Sequence, residues 1–202
     1  EPRPRPISLR LVMERSLTKR ELAAYDELSA DEALEQARAL KTLHAEWCGV
    51  GEIGSLEPFE SAEVLYLQYN RIDRIENLEC LPRLQFLALQ GNRIRAVENL
   101  LCLGDLEFLD LSKNQILDLN EQQLPQSVNM LNLKDNPCTQ LAGYKERVCA
   151  RLPDLLRLDG LDLEAAAGDG SSSSSLFPLV GTAEEERLHA TEQGLGAYWR
   201  KG

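Results

Sequence analysis

Leu65-Tyr66-Leu67-Gln68-Tyr69-Asn70-Arg71-Ile72 is followed by Leu87-Ala88-Leu89-Gln90-Gly91-Asn92-Arg93-Ile94 and then by Leu109-Asp110-Leu111-Ser112-Lys113-Asn114-Gln115-Ile116. A fourth version reads Leu131-Asn132-Leu133-Lys134-Asp135-Asn136-Pro137-Cys138. The asparagines at 70, 92, 114 and 136 stand 22 residues apart, and one more step back falls on Cys48. A repeat of that length is one supersecondary unit. It cannot bury its apolar side alone, so successive copies stack and share a continuous core.

The phrase is the leucine-rich repeat pattern, L-x-x-L-x-L-x-x-N/C-x-L, with Cys48 as the alternate to Asn. It predicts an α/β fold: a solenoid over residues 40–160 with five 22-residue repeats, a concave parallel sheet and a C-terminal cap. So short a coil leaves room on the convex side only for 3₁₀ or one-turn helices. Repeat one is filled by Leu40, Leu43, Ala45, Cys48, Val50, Ile53, Leu56 and Phe59. The next two continue as Ile72, Ile75, Leu78, Leu81 and as Ile94, Val97, Leu100, Leu103. Copy four departs at Gln122 and Pro125, which predicts an irregular outer face, and copy five places Cys138 at an aliphatic position. The asparagine side chains are expected to hydrogen-bond the backbone of neighbouring coils, where a turning chain would otherwise bury unpaired groups.

Residues 1–39 read as an arm and a cap. Glu1-Pro2-Arg3-Pro4-Arg5-Pro6 is a polyproline-like stretch. Ile7, Leu9, Leu11 and Met13 alternate with Ser8, Arg10 and Val12, which predicts a strand along the edge of the first repeat. Thr18…Glu21 and Ser29…Glu32 are capping boxes that open two short helices over the same end. At the other end Tyr144, Val148 and Leu152 fall on one helix face, Pro153 stops that helix, and Leu155 with Leu158-Asp159-Gly160 supplies a last strand. Residues 161–202 begin with an Ala/Gly run and five serines, 171–175, which read as a linker. Thr182…Glu185 then caps a stripe of Leu188, Thr191, Leu195 and Trp199, for which folding back on the solenoid and docking on a partner are both open.

With 33 acidic against 22 basic residues, the net charge of −11 lacks the positive field that nucleic acids and anionic membranes require. Protein partners are expected, with no nucleic acid and no membrane. No run approaches the roughly 18 apolar residues of a span, and no secretory segment is seen. Residue 1 is Glu, which reads as a piece of a longer chain, so the missing segment carries little weight. The five cysteines form no C-x-x-C pair, and no Asn-x-Ser/Thr occurs. Reduced structural thiols in a cytoplasmic protein follow, with a disulfide between the equivalent Cys80 and Cys102 as the alternative. Gly49-Val50-Gly51-Glu52-Ile53-Gly54 matches a nucleotide-binding fingerprint, but Val50 and Ile53 belong to the repeat core and Pro58 interrupts where a long helix is needed. His44 and His189 join no metal or triad grouping, so no cofactor and no enzymatic activity are expected.

Because the leucines of each L-x-L strand point inward, the residues between and before them line the concave sheet. One row is Thr42, Val64, Phe86, Phe108 and Met130; the next is His44, Tyr66, Ala88, Asp110 and Asn132. The first is an apolar stripe roughly 15 Å long, from strands about 4.8 Å apart. Trp47 and Tyr69 extend it. Since leucines already occupy the core, the aromatics are expected to be exposed. The protein-binding face therefore comprises His44, Trp47, Val64, Tyr66, Tyr69, Phe86, Phe108, Asp110, Met130 and Asn132.

The outer phrases Ile75-Glu76-Asn77-Leu78 and Val97-Glu98-Asn99-Leu100, with the closure from Tyr144 to Gly160, resemble the short intracellular class that includes phosphatase-regulating and ciliary repeat proteins. Within it the chain resembles the leucine-rich-repeat-containing protein 46 family, an axonemal family. The likeness spans about residues 16–160 and rests on Leu17-Thr18-Lys19-Arg20, on Leu124-Pro125-Gln126-Ser127 running into Leu131-Asn132-Leu133, and on Cys138-Thr139 before Gly143-Tyr144. It implies a non-enzymatic adaptor of the ciliary or flagellar axoneme, in or near a radial spoke, that holds axonemal subunits. The competing expectation is a soluble regulatory subunit of a signalling enzyme such as protein phosphatase 1.

Overall fold

The structure, a computed structural model, describes residues 5–163. The proline arm before Arg5 and the expectations for 164–202, His189 among them, lie outside the described residues. Five three-residue strands follow the repeat: β2 (Thr42–His44), β4 (Val64–Tyr66), β5 (Phe86–Ala88), β6 (Phe108–Asp110) and β7 (Met130–Asn132). They pair in parallel, each residue opposite its equivalent 22 positions on. β8 (Arg157–Leu158) continues the sheet in parallel and β9 (Leu161–Asp162) turns back antiparallel beside it. A separate two-stranded sheet pairs β1 (Arg5–Pro6) with β3 (Val50–Glu52).

Leu43, Leu65, Leu87, Leu109 and Leu131, with Ala45, Leu67, Leu89, Leu111 and Leu133, form the inner wall of one buried cluster, and the convex-side apolar residues from Ile53 to Val128 form its other wall. Burying each such leucine is worth about 1.5–3 kcal/mol, and the stack multiplies that along its axis. Between them run the asparagines. Asn92 donates from Nδ2 to the carbonyls of Leu67 (3.0 Å) and Leu89 (2.9 Å), and its Oδ1 accepts the Ile72 amide at 3.1 Å. Asn70 does the same for Ala45 and Leu67 and accepts both Cys48 and Val50 amides. Asn114 and Asn136 repeat the arrangement one and two coils on.

The convex side carries 3₁₀ turns at Glu57–Phe59, Glu121–Gln123 and Pro137–Gln140. Coils two and three instead use successive turns, with Leu81 N–H to Leu78 O and Leu103 N–H to Leu100 O. There Asn77 and Asn99 take left-handed backbones (φ 57° and 58°) and donate Nδ2 to the carbonyls of Ile53 and Ile75 in the preceding coil. Copy four is irregular as expected: Asn120 caps the 3₁₀ turn and Arg151 donates to the carbonyls of Glu121 and Leu124.

The expectation of a strand over Ile7–Met13 is overturned. The strand there is only Arg5–Pro6, and α1 runs from Leu9 to Ser16. Ser8 caps it by accepting the Leu11 amide at 3.2 Å, and Val12 and Met13 turn into the core against β2. The two capping boxes form as read, opening α2 (Lys19–Tyr25) and α3 (Ala30–Ala39). α3 packs on the turn at Glu57–Phe59, and Arg10 of α1 is bound by Asp26, the residue that ends α2. At the C-terminal end α4 (Tyr144–Arg151) buries Tyr144 and Val148. Asp159, at φ 54° in the β8–β9 turn, accepts the Leu133 amide at 2.7 Å and the Tyr144 hydroxyl at 3.1 Å. It performs for the last coil what each asparagine performs for the coil before it.

Candidate functional site

The parallel register sets the two concave rows side by side as the L-x-L alternation predicts. Val64, Phe108 and Met130 are half-buried in the first row. Phe86 is not exposed: it is fully buried. At the middle of the ladder it has rings on both sides, with Phe108 stacked at 4.2 Å and 4° and Tyr66 tilted against it at 5.3 Å. The aromatic stripe is therefore partly its own packing.

In the second row His44 stacks on Tyr66 at 4.8 Å, its amide donates to Ser16 Oγ, and its Nδ1 lies 3.4 Å from Glu46 Oε1. Asp110 also departs from expectation, being 3 % exposed. Its carboxylate accepts the Ser112 amide at 2.8 Å and Asn132 Nδ2 at 3.1 Å, which fastens it to its own strand end and to the next coil. Burial pushes its pKa up, and the bonds from Ser112 and Asn132 with the charge of Lys113 offset this only in part. Asn132 remains half-buried.

Trp47 and Tyr69 stack at 4.0 Å. Both hold left-handed backbones, φ 60° and 56°, as do Gly91, Lys113 and Asp135 at the equivalent positions. A bulky residue pays for this conformation in strain. The ring of Tyr69 lies over Gly91, where a Cβ would stand 2.5 Å from Tyr69 Cδ1, and Lys113 Nζ sits 6.0 Å from the same ring. Trp47, Tyr69 and Lys113 thus line the rim of the concave side.

A third row was not singled out from sequence: Glu46, Gln68 and Gln90, again 22 apart. Gln68 and Gln90 are 8 % and 3 % exposed, and Glu46 Oε2, Gln68 Oε1 and Gln90 Oε1 are buried oxygens with no hydrogen-bond partner. Glu46 Oε1 lies 3.4 Å from Arg15 Nη2 of α1. Burial raises the Glu46 carboxyl, but hydrogen bonds from His44 and its own backbone, with the charges of His44 and Arg15, outweigh it and hold the group below its ordinary range. The only sequence signal was position: polar residues where the pattern permits anything.

The glycine run at 49–54 contains β3 and leads into the short turn at Glu57–Phe59, without the long helix a pyrophosphate site needs. Among the described residues no group of three His, Cys, Asp or Glu side chains is placed to hold a metal ion, and no helix is long and apolar enough to cross a membrane. Cys48, Cys80, Cys102, Cys138 and Cys149 are free thiols.

The 22-residue register, the asparagine ladder and the concave sheet define a leucine-rich repeat solenoid. Residues 63–102 match the model for two copies of leucine-rich repeats. The chain is similar to human leucine-rich repeat-containing protein 46, with 45% identity over 87 residues, which are 40% of this chain and 27% of that protein. It thus spans about a quarter of that relative's length. Among solved structures it is similar to a chain of the Drosophila melanogaster SNF/U2A′ complex, with a TM-score of 0.57 and 23% identity, over 67% of this chain and 85% of that one. That likeness is one of fold.

Proposed function

We propose that the protein is a non-enzymatic structural adaptor of the ciliary or flagellar axoneme, in or near a radial spoke, and that its concave face holds neighbouring protein subunits. The observation that carries the binding reading is the concave side itself. His44, Val64, Tyr66, Phe108, Met130 and Asn132 lie along one parallel sheet, with Trp47 and Tyr69 at its rim. Apolar and aromatic groups held rigidly in a curved sheet act as interface anchors, because they bury large area at little further entropic cost. The axonemal reading is supported by the 45% identity over 87 residues to leucine-rich repeat-containing protein 46 and by the family resemblance of the outer phrases and the closing segment.

Salt extraction of ciliary axonemes tests the location. A structural subunit stays with the axoneme at salt that strips soluble proteins; free release refutes it, and copurification with a phosphatase catalytic subunit instead would favour a regulatory role. Phe108→Ala with Met130→Ala tests the surface. The pair should abolish partner capture from ciliated cells while leaving the circular dichroism unchanged, and undiminished capture would exclude the concave face.

A further inference from the structure

The row Glu46, Gln68, Gln90 lies between two aromatic stacks. The stack of His44 on Tyr66, ring centroids 4.8 Å apart, precedes it along the chain, and the stack of Trp47 on Tyr69, 4.0 Å apart, follows it. Alternation along each strand end turns these side chains to the concave side, since Ala45, Leu67 and Leu89 beside them are in the core. Three successive coils thus offer a buried oxygen without a partner, spaced by the strand separation of about 4.8 Å. A folded chain seldom leaves buried acceptors unpaired, and three in one row are a request for donors.

We propose that this row binds an arginine side chain of a protein partner, the Gln68 and Gln90 side chains turning outward so that its guanidinium bridges the oxygens of adjacent coils while its plane stacks on the neighbouring rings; the proposal rests on the concave-face reading above. A guanidinium carries N–H groups diverging in one plane, so one group can donate to two acceptors in neighbouring coils, whereas an ammonium is a compact point charge. Its faces are attracted to aromatic rings, and Lys113 already approaches Tyr69 in that manner. The charge is complementary: Glu46 is ionised at neutral pH, and within its carboxylate Arg15 and His44 reach Oε1 and not Oε2. The chain as a whole carries a net charge of −11, which favours a cationic partner segment.

The test is selection of a phage-displayed library of random 12-residue peptides on the immobilised full chain. The selected peptides are then titrated into ¹⁵N-labelled chain and followed at the side-chain amides of Gln68 and Gln90 and the indole of Trp47. The expected peptides contain arginine and shift those three signals. They lose at least tenfold in affinity when arginine is replaced by neutral, isosteric citrulline, and again with Gln90→Leu or Gln68→Leu, each checked for fold by circular dichroism. Peptides that shift the concave signals without arginine, or bind equally with citrulline, overturn the arginine assignment and leave the concave face standing. Peptides that shift only signals elsewhere, or no enrichment at all, overturn both.

Discussion

Asn92→Ala removes one side chain and leaves three backbone groups to account for, the Leu67 and Leu89 carbonyls and the Ile72 amide. The carbonyls of Leu67 and Leu89 keep a second donor each, from Asn70 and Asn114, so their loss is modest. The Ile72 amide is different. Its hydrogen bond is to Asn92 Oδ1, inside a coil whose Ile72 side chain is fully buried. An orphaned buried N–H costs about 1–3 kcal/mol, and the lost bonds to two carbonyls add roughly 0.5–1 kcal/mol each, so the expected destabilisation is about 3 kcal/mol. Asn92→Asp discriminates this account from simple loss of packing. The carboxylate still accepts from Ile72 but faces the Leu67 and Leu89 carbonyls without a proton to offer, so at neutral pH it should be no better than alanine. Equilibrium urea unfolding reads both, with the midpoint falling by roughly 1–3 M for an m-value of about 1–3 kcal/mol/M. Hydrogen exchange at Ile72 should quicken before that of Ile116, two coils away. A loss under about 1 kcal/mol, or a fully stable Asn92→Asp, would refute the reasoning.

Gly91→Ala should cost about 2 kcal/mol, from a left-handed backbone and a Cβ driven into Tyr69, with near-UV circular dichroism reporting the disturbed Trp47–Tyr69 stack; in a Tyr69→Ala background only the backbone part of the loss should remain. Asp110 binds its proton more tightly when folded than unfolded, so its contribution to stability is present below the unfolded value near pH 4 and is lost as pH rises through the raised folded value. Asp110→Asn should accordingly gain on the wild type as pH rises from about 4 in parallel urea titrations, and a constant difference would contradict that. Asp159→Ala should cost about 2–3 kcal/mol and expose the Leu133 amide to exchange while sparing Ile72, since only the last coil depends on it.

The repeat register was legible because leucine and asparagine answer to constraints within a single coil: a side chain that must reach the core, and an amide that must reach a turning backbone. The capping boxes at Thr18 and Ser29 were legible for the same local reason. Ile7–Met13 was misread because apolar residues at 7, 9, 11 and 13 fit an alternation while 9, 12 and 13 fit a helix face, and Ser8 as a cap decides between them. Phe86 and Asp110 were placed in the correct row with the wrong exposure, since their burial depends on what stands beside them in other coils. Asn77 and Asn99 were quoted as part of a phrase, but their left-handed turn and reach to the preceding coil are tertiary facts. The row at 46, 68 and 90 was silent for a further reason. Its residues sit where the pattern sets no requirement, and only the missing partners of their oxygens mark them.

Every asparagine of the ladder accepts amides from the coil before its own: Asn70 from Cys48 and Val50, Asn92 from Ile72, Asn114 from Ile94 and Asn136 from Ile116. The solenoid therefore has a direction. As the chain leaves the ribosome N-terminus first, each coil's backbone stays incomplete until the following one has been made, and the debt passes down the molecule until Asp159 discharges it. A nascent chain halted after any coil should keep that coil's asparagine-bound amide open until the next coil is made.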